Sequence, residues 1–453
     1  MLLALGIAIL ALAGLTGLFI LRRVWAASSE TSHYTFFPIL FSLWIVSVVM
    51  WNTYFWSYKI PGLFDLSVER ILFVLLGVAA ITQILFKTVT IHGDRRIEFV
   101  MIVFLIICII SMSINGFTSL YTYAPKPWYI FFTGYLSPFL AFFYVKYFFQ
   151  DDRSIKMLLG SLFSLGIVLC IIAILERFHL DALVYPSYIT DKTILLHLDR
   201  SRGPLLNAAF NGLAMTICFV AGLILRPMVS PGRRFLILVL LPLFFIGVFF
   251  TSTRSAYLVF LLALGTVLFF LRSRGERWKL TPLILTLCLL AVAANTERLF
   301  SSSRESGGIA QMEEVDIRFQ LIAKSLRLIR EHPVLGVGLA HFSVSDSPET
   351  YQDNQHNHLI GMAVELGVIG VSVYLCLLVL IFRRLYALAQ NPRTDRDDWA
   401  NTVILLTLGI TATLVNNVFV EASLCPFINV ATFTFAGLAC RLLEHPETLD
   451  AAI

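Results

Sequence analysis

Charge is what this sequence has least of. Only 14% of its residues are Asp, Glu, Lys or Arg, against about 25% in ordinary soluble domains. With 58% hydrophobic residues and a mean hydropathy of +0.82, that scarcity excludes a soluble enzyme. Cysteine is missing from the long polar loops. All seven cysteines lie in or beside apolar runs, so they imply no disulfide framework and read as small core residues. A compact basic domain is missing too. The net charge of +5 comes from cations clustered at the ends of apolar runs, which gives no reason to expect a nucleic-acid partner.

What is present is a succession of apolar runs, each about as long as a membrane-spanning helix. Candidate spans are 1–21, 36–57, 68–86, 97–115, 129–150, 155–176, 206–225, 235–250, 255–271, 280–295, 358–382, 402–420 and 424–440. The expectation is an all-α polytopic integral membrane protein with about twelve or thirteen transmembrane helices, residues 1–453 forming one integral membrane domain. Arg22 and Arg23 follow the first apolar run, whereas a secretory signal carries its positive charge before it. The first run is therefore expected to stay as a helix.

Two longer polar segments, 177–205 and 296–357, interrupt the pattern. With these set aside, the odd-numbered loops and the tail carry most of the lysines and arginines, including Arg22, Arg95, Arg233, Arg274 and Arg383. The short even-numbered loops carry little beyond Lys59, Arg70, Lys126 and Arg254. Positive charge stays in the cytoplasm, so the odd side is expected inside and both long segments outside. The segment 296–357 then forms one long external loop. Within it Val315, Phe319, Ile322, Leu326 and Ile329 recur at helical spacing, interrupted by Arg318, Lys324, Arg327 and Arg330. Glu313 and Glu314 suit a helix start and Pro333 a helix end. Such a basic amphipathic helix lies along a membrane surface, and Gly336–Phe342 after it reads as a flexible turn.

The chemistry-bearing side chains gather where this loop enters the span that begins near 358. His356, Asn357 and His358 stand there, and an imidazole accepts a proton near neutral pH without drastic tuning. The plain alternative for His356 is a helix cap. His358, two residues on, points elsewhere on a helix and is a candidate substrate contact. His-x-His is also half of a metal site, with His341 and Asp353 available, but the external loops lack D-x-D and H-E-x-x-H spacings. No metal and no cofactor are expected. Arg254 interrupts an apolar stretch too long for one helix, and burying a guanidinium there costs about 2.5–3.5 kcal/mol. The stretch must break near Thr251–Arg254, at the external end of both halves. Glu365, about two turns into its helix, needs pairing or hydration, with Arg254 as a candidate partner and Glu421 as an alternative carboxylate for that role. Gly367 and Gly370 read as close helix-packing positions.

The series His356, Asn357, Ile360, Glu365, Leu366, Gly367, Gly370, preceded by Arg330–Phe342 (REHPVLGVGLAHF), resembles the bacterial O-antigen ligase and polymerase superfamily. The resemblance is clear over roughly 200–370. Gly361 departs from it, because the family often has a larger, commonly polar residue there. Thr253-Arg254 resembles its S/T-R motif, and Arg318 stands where its amphipathic helix begins. Arg202 and Gly203 before Asn211 resemble its R-x-G…N-x-L-A segment, although Ala209 and Phe210 replace the usual proline. The resemblance implies a glycosyltransferase of the bacterial inner membrane with a periplasmic site. Its donor would be polysaccharide linked to undecaprenyl diphosphate, and its acceptor a sugar hydroxyl of the lipid A–core oligosaccharide. His356 would be the catalytic base. Arg254, Arg318, Arg202, Asn357, His358, Asn211 and Glu365 would bind substrate, the arginines meeting the pyrophosphate. The polymerase and the protein O-oligosaccharyltransferase of the same superfamily, and a lipid-linked-sugar flippase, stay open.

Overall fold

The computed structural model describes residues 33–59, 65–117, 126–194, 197–198, 200–271, 313–342 and 357–446. The protein is an all-α polytopic membrane protein, and nine of its described helices are long and apolar enough to cross a membrane. In chain order these and their companions are α1 (His33–Met50), α2 (Val68–Leu85), α3 (Arg96–Asn115), α4 (Pro127–Phe148), α5 (Asp152–Arg177), α6 (Ala208–Leu225), α7 (Pro231–Phe250), α8 (Arg254–Phe270), α9 (Glu313–Glu331), α10 (His358–Ala389), α11 (Asp397–Asn416) and α12 (Pro426–Glu444). The only described strands form a two-residue antiparallel ladder, Ser57–Tyr58 against Leu66–Ser67.

Each candidate span that falls on described residues is a helix. The spans expected at 1–21 and 280–295 lie outside the described residues. The two ends that differ most from expectation do so for local reasons. α1 stops at Met50, because Trp51–Trp56 turns and Asn52 is held by Tyr188 and by the Pro204 carbonyl. α10 runs past Phe382 to Ala389, because Arg384 finds Asp94 at 2.5 Å and need not leave the helix.

α6 is the central helix, with all 18 of its residues buried, and α12 is buried along most of its length. α2, α3 and α7 are rim helices. They expose Val74, Leu75 and Val78, then Phe99, Ile102 and Ile106, then Phe235, Leu236 and Val239. A soluble protein would bury such faces, whereas a bilayer solvates them. One hydrophobic core runs from Phe37 in α1 to Leu442 in α12.

A chain of contacts fixes which helix ends lie together. Asn52, just past α1, bonds to Pro204 ahead of α6. The guanidinium of Arg70 at the start of α2 lies over Trp128 and Tyr129 at the start of α4, 5.9 Å from each ring. Glu176 near the end of α5 accepts from the backbone of Arg202 and Gly203, and the Ser201 N–H donates to Phe250 at the end of α7. Ser111 near the end of α3 accepts from Leu339. The start of α10 bonds to Asn417 after α11. The described parts of both long segments, the Thr251–Arg254 turn and the start of α10 therefore share one end of the bundle. The opposite end carries Asp94, Lys146, Arg153, Arg233, Arg384 and Glu444.

Candidate functional site

The framework of the shared end is an interlock between the turn after α9 and a break in α10. At Gly367 the α10 backbone leaves helical geometry, with φ 64° and ψ −167°, a region open essentially only to glycine. Such a break frees backbone groups inside the protein, and each must find a partner. The turn supplies them. The Val368 N–H donates to the Pro333 carbonyl at 2.8 Å, while the N–H groups of Val337 and Gly338 donate to Val364 and Glu365 at 2.9 and 3.0 Å.

The two chains lie so close that side chains are excluded. A Cβ on Gly367 would collide with the Val334 carbonyl, and one on Gly336, itself at φ +70°, with the backbone of Glu365. This corrects two expectations. Gly367 is there to break its helix against a neighbouring backbone, not to bring helices together, and Gly336–Phe342 is a bonded and largely buried segment, with Leu339, Ala340 and Phe342 in the interior.

α9 is fastened to the same framework. Leu321 and Leu328 pack with Phe342 and Val364, and Lys324 donates to the Phe342 carbonyl at 3.0 Å. The face carrying Phe319, Ile322 and Leu326 points outward, between 38% and 66% exposed. The expected amphipathic helix is present; Phe319, Ile322 and Leu326 of its apolar stripe are free to meet lipid, Ile329 packs against the buried cluster instead, and Arg318 is exposed in its second turn.

The start of α10 is capped by Asn357, whose Oδ1 accepts from the Ile360 N–H at 3.0 Å and whose Nδ2 donates to Val418 at 3.3 Å. His358 donates its backbone N–H to Asn417 at 2.8 Å. Its ring is 2% exposed, stacked on Tyr135 and edge-on to Tyr374 at centroid distances of 6.4 and 5.5 Å. In this conformation His358 is part of a buried aromatic wall and presents no ring to solvent. His356, the expected base, and Asp353 lie outside the described residues. The ring of His341 is engaged at Nδ1 with the Leu339 carbonyl at 2.8 Å.

Behind the α10 start, α4 carries one π-helical stretch, Phe131–Leu136, a distortion frequent at functional sites. It turns Tyr135 towards His358 and leaves the Gly134 carbonyl to accept from Asn429 at 3.3 Å. Glu365 is buried at 6% exposure and acts electrostatically on Tyr135 and Cys108. Glu421, on the loop joining α11 to α12, also acts on Tyr135. One of its oxygens accepts from Ser423 Oγ at 2.8 Å, and the other is buried without a hydrogen bond. Burial pushes its carboxyl up to about 7. Sequence reasoning saw Glu421 only as a candidate arginine partner and missed Tyr135 and Asn417. A carboxylate between two apolar spans was the available signal for the first; nothing local marked the others.

The remaining arginines divide by environment. Arg202 is 1% exposed, and its guanidinium donates to the carbonyls of Ile189, Asp191 and Ile194. It ties residues 189–194 to the segment ahead of α6, with Glu176 bracing its backbone. Asn211 donates to the Ser201 carbonyl at 3.3 Å. Arg254 follows the break expected between Phe250 and α8. Its side chain is exposed and makes no hydrogen bond or ion pair among the described residues, so the pairing considered with buried Glu365 is absent from this conformation. The neighbouring turn is fixed by Thr251, Thr253 and Tyr257, the last donating to Phe249 at 2.6 Å.

The arrangement therefore brings to one end of the bundle the exposed Arg254 and Arg318, a capped helix start, an aromatic wall and a buried carboxyl. No curated protein matches the chain. Residues 237–375 match the O-Antigen ligase family, a stretch that takes in Arg254, Arg318, the interlocked turn and the broken part of α10.

Proposed function

We propose that the protein is a membrane glycosyltransferase that moves O-antigen polysaccharide from undecaprenyl diphosphate to a sugar hydroxyl of lipid A–core oligosaccharide, on the periplasmic face of the inner membrane. The acceptor oxygen attacks the anomeric carbon and the bond to the diphosphate oxygen breaks. The acceptor proton passes to His356, and undecaprenyl diphosphate leaves with the electron pair. Positive charge aimed at that leaving group is what such a transition state requires. Arg254 and Arg318 are the exposed guanidiniums suited to grip it bidentately. Asn357 fixes the helix start next to His356. Arg202 and Asn211 enter as positioning residues beneath, and Glu365 and His358 as the wall behind.

The observation that carries this reading is the interlock, which ties the turn after α9 to α10 within the stretch that matches the O-Antigen ligase family. It also weighs against a flippase. Transporters use broken helices to coordinate substrate or ions with freed backbone groups, whereas the groups freed at Gly367 are bonded to the turn at 333–338.

The test is lipopolysaccharide from a deletion strain resolved on a gel. The expected result is loss of polymer from lipid A–core while lipid-linked polymer persists; loss of all long polymer would instead identify a polymerase. In purified enzyme His356→Ala should lower the rate on the order of 10²–10⁴-fold, and an active His356→Ala would remove the base from this scheme. A cysteine at Ser302 should react with an impermeant maleimide in spheroplasts and one at Asn391 should not; the reverse pattern overturns the orientation.

A further inference from the structure

At the end of the bundle opposite the candidate site, α5 and α7 diverge around a groove of about 1050 Å³. Its mouth carries Asp152, Arg153, Lys156 and Arg233. Lys156 is matched by Asp152, one turn away at 2.5 Å. Arg153 and Arg233 are exposed and make no ion pair among the described residues. The first turn of α7 opens on the same mouth. Its N-cap Ser230 lines the groove and makes no side-chain capping bond, so backbone N–H groups there stay open to an anion. Below the mouth the walls become apolar. The same α5 stripe, Met157, Gly160, Ser164 and Val168, also borders a second cavity of about 540 Å³, which runs to Trp51 and Tyr185 at the candidate-site end. From Asp152 to Val168 the groove follows α5 for about 24 Å at 1.5 Å per residue, enough for an acyl chain of one leaflet.

We propose that this groove is a binding site for an anionic diacyl phospholipid of the leaflet at that end. Two guanidiniums unmatched by carboxylates select a phosphodiester with net negative charge, which they would bind through charge-assisted hydrogen bonds. A zwitterionic headgroup would bring its own cation into their field. The apolar walls below the mouth, from Met157 and Gly160 to Ile167 on α5 and from Leu236 to Leu240 on α7, take the acyl region. Basic pockets between transmembrane helices hold anionic headgroups for the same electrostatic reason. The glycosyl-transfer site lies at the other end and plays no part in the argument.

Native mass spectrometry of the full-length protein in a neutral detergent tests this, with phosphatidylglycerol and phosphatidylcholine titrated separately and in competition. The expected result is a roughly tenfold preference for phosphatidylglycerol that disappears in Arg153→Gln/Arg233→Gln. Gly160→Leu fills the groove without touching the charges, and its new Cβ meets only Leu225, at 3.9 Å. It should weaken both lipids alike. Equal retention of the two lipids by the unaltered protein overturns the proposal, and needs no variant to fold. So does a preference that survives the double substitution, displacement of the lipid by inorganic phosphate alone, or stronger binding of undecaprenyl phosphate at equal concentration.

Discussion

The two ends of the bundle use their buried polar groups differently. At the end bearing Asp94, the charge that is buried forms a connected network, while Arg153 and Arg233 stand exposed at its edge. Lys146, 2% exposed, reaches Glu98 at 2.7 Å, Glu444 at 3.4 Å and the Asp94 carbonyl at 2.7 Å, and Arg384 joins Asp94. The network ties α4, α10 and α12 to the segment ahead of α3, as a staple would. At the other end, Arg202 is buried and held by carbonyls and Arg254 and Arg318 stand exposed, while acceptor oxygens of Asn211, Asn416, Asn417 and Glu421 are buried without hydrogen bonds. Unused polar capacity of that kind costs stability. Asn416, Asn417 and Glu421 place it beside the start of α10, next to the stretch that matches the O-Antigen ligase family. One end holds the fold; the other is held ready by it.

The largest way to break this contrast is to attack the staple. Lys146→Met leaves Glu98 without its cation and Glu444 with only Arg384 at 4.0 Å, and stranding one side of a buried pair costs about 3–5 kcal/mol. The unfolding midpoint in detergent should fall sharply, while transfer per folded molecule stays near normal. A specific loss of rate without loss of stability would show that the ends are coupled.

Next in size is the interlock. Gly367→Ala must adopt a glycine-only backbone and push against Val334. It should cost about 2–4 kcal/mol and, unlike Lys146→Met, also lower the rate per folded molecule. Activity assays at matched amounts of monodisperse protein check both.

Glu421 gives a pH test of nearly the same size. Its folded pKa is raised, from the usual 4.5 to about 7, so its contribution is fully present below the unfolded value and is lost as pH rises through the folded one. Relative to Glu421→Gln, the unaltered protein should lose up to about 3 kcal/mol between pH 4.5 and 7 and no more above that. Identical pH profiles would show that the carboxyl is not confined as described. The smallest effect belongs to Gly265 in α8, where a Cβ meets nothing within 4 Å. Gly265→Ala should raise stability by no more than about 1 kcal/mol with no change in rate.

Hydropathy made the helices legible, since a bilayer demands about twenty apolar residues wherever it is crossed and the described helices answer that demand. Charge asymmetry made legible that the Thr251–Arg254 turn and the start of α10 belong to the same end. The site was legible only in outline. Gly367 sits in an unbroken apolar run, and no local pattern separates a glycine that lets helices approach from one that breaks its helix against a distant turn. The bond from Val368 to Pro333 joins residues 35 positions apart by way of backbone atoms, which every sequence possesses. His358 looked like a second reactive group because a sequence shows its type and not its neighbours, and those neighbours are Tyr135 and Tyr374.

The backbone ladder between residues 333–338 and 364–368 has a consequence for building hybrid proteins. Each strand of the ladder is cut to fit the other, with Gly336 shaped by Glu365 and Gly367 by Val334. A segment transplanted from a relative across this region should work only if both strands come from the same parent. The natural unit of exchange is thus the whole stretch from α9 to the break in α10, and a crossover placed between them is the one to avoid.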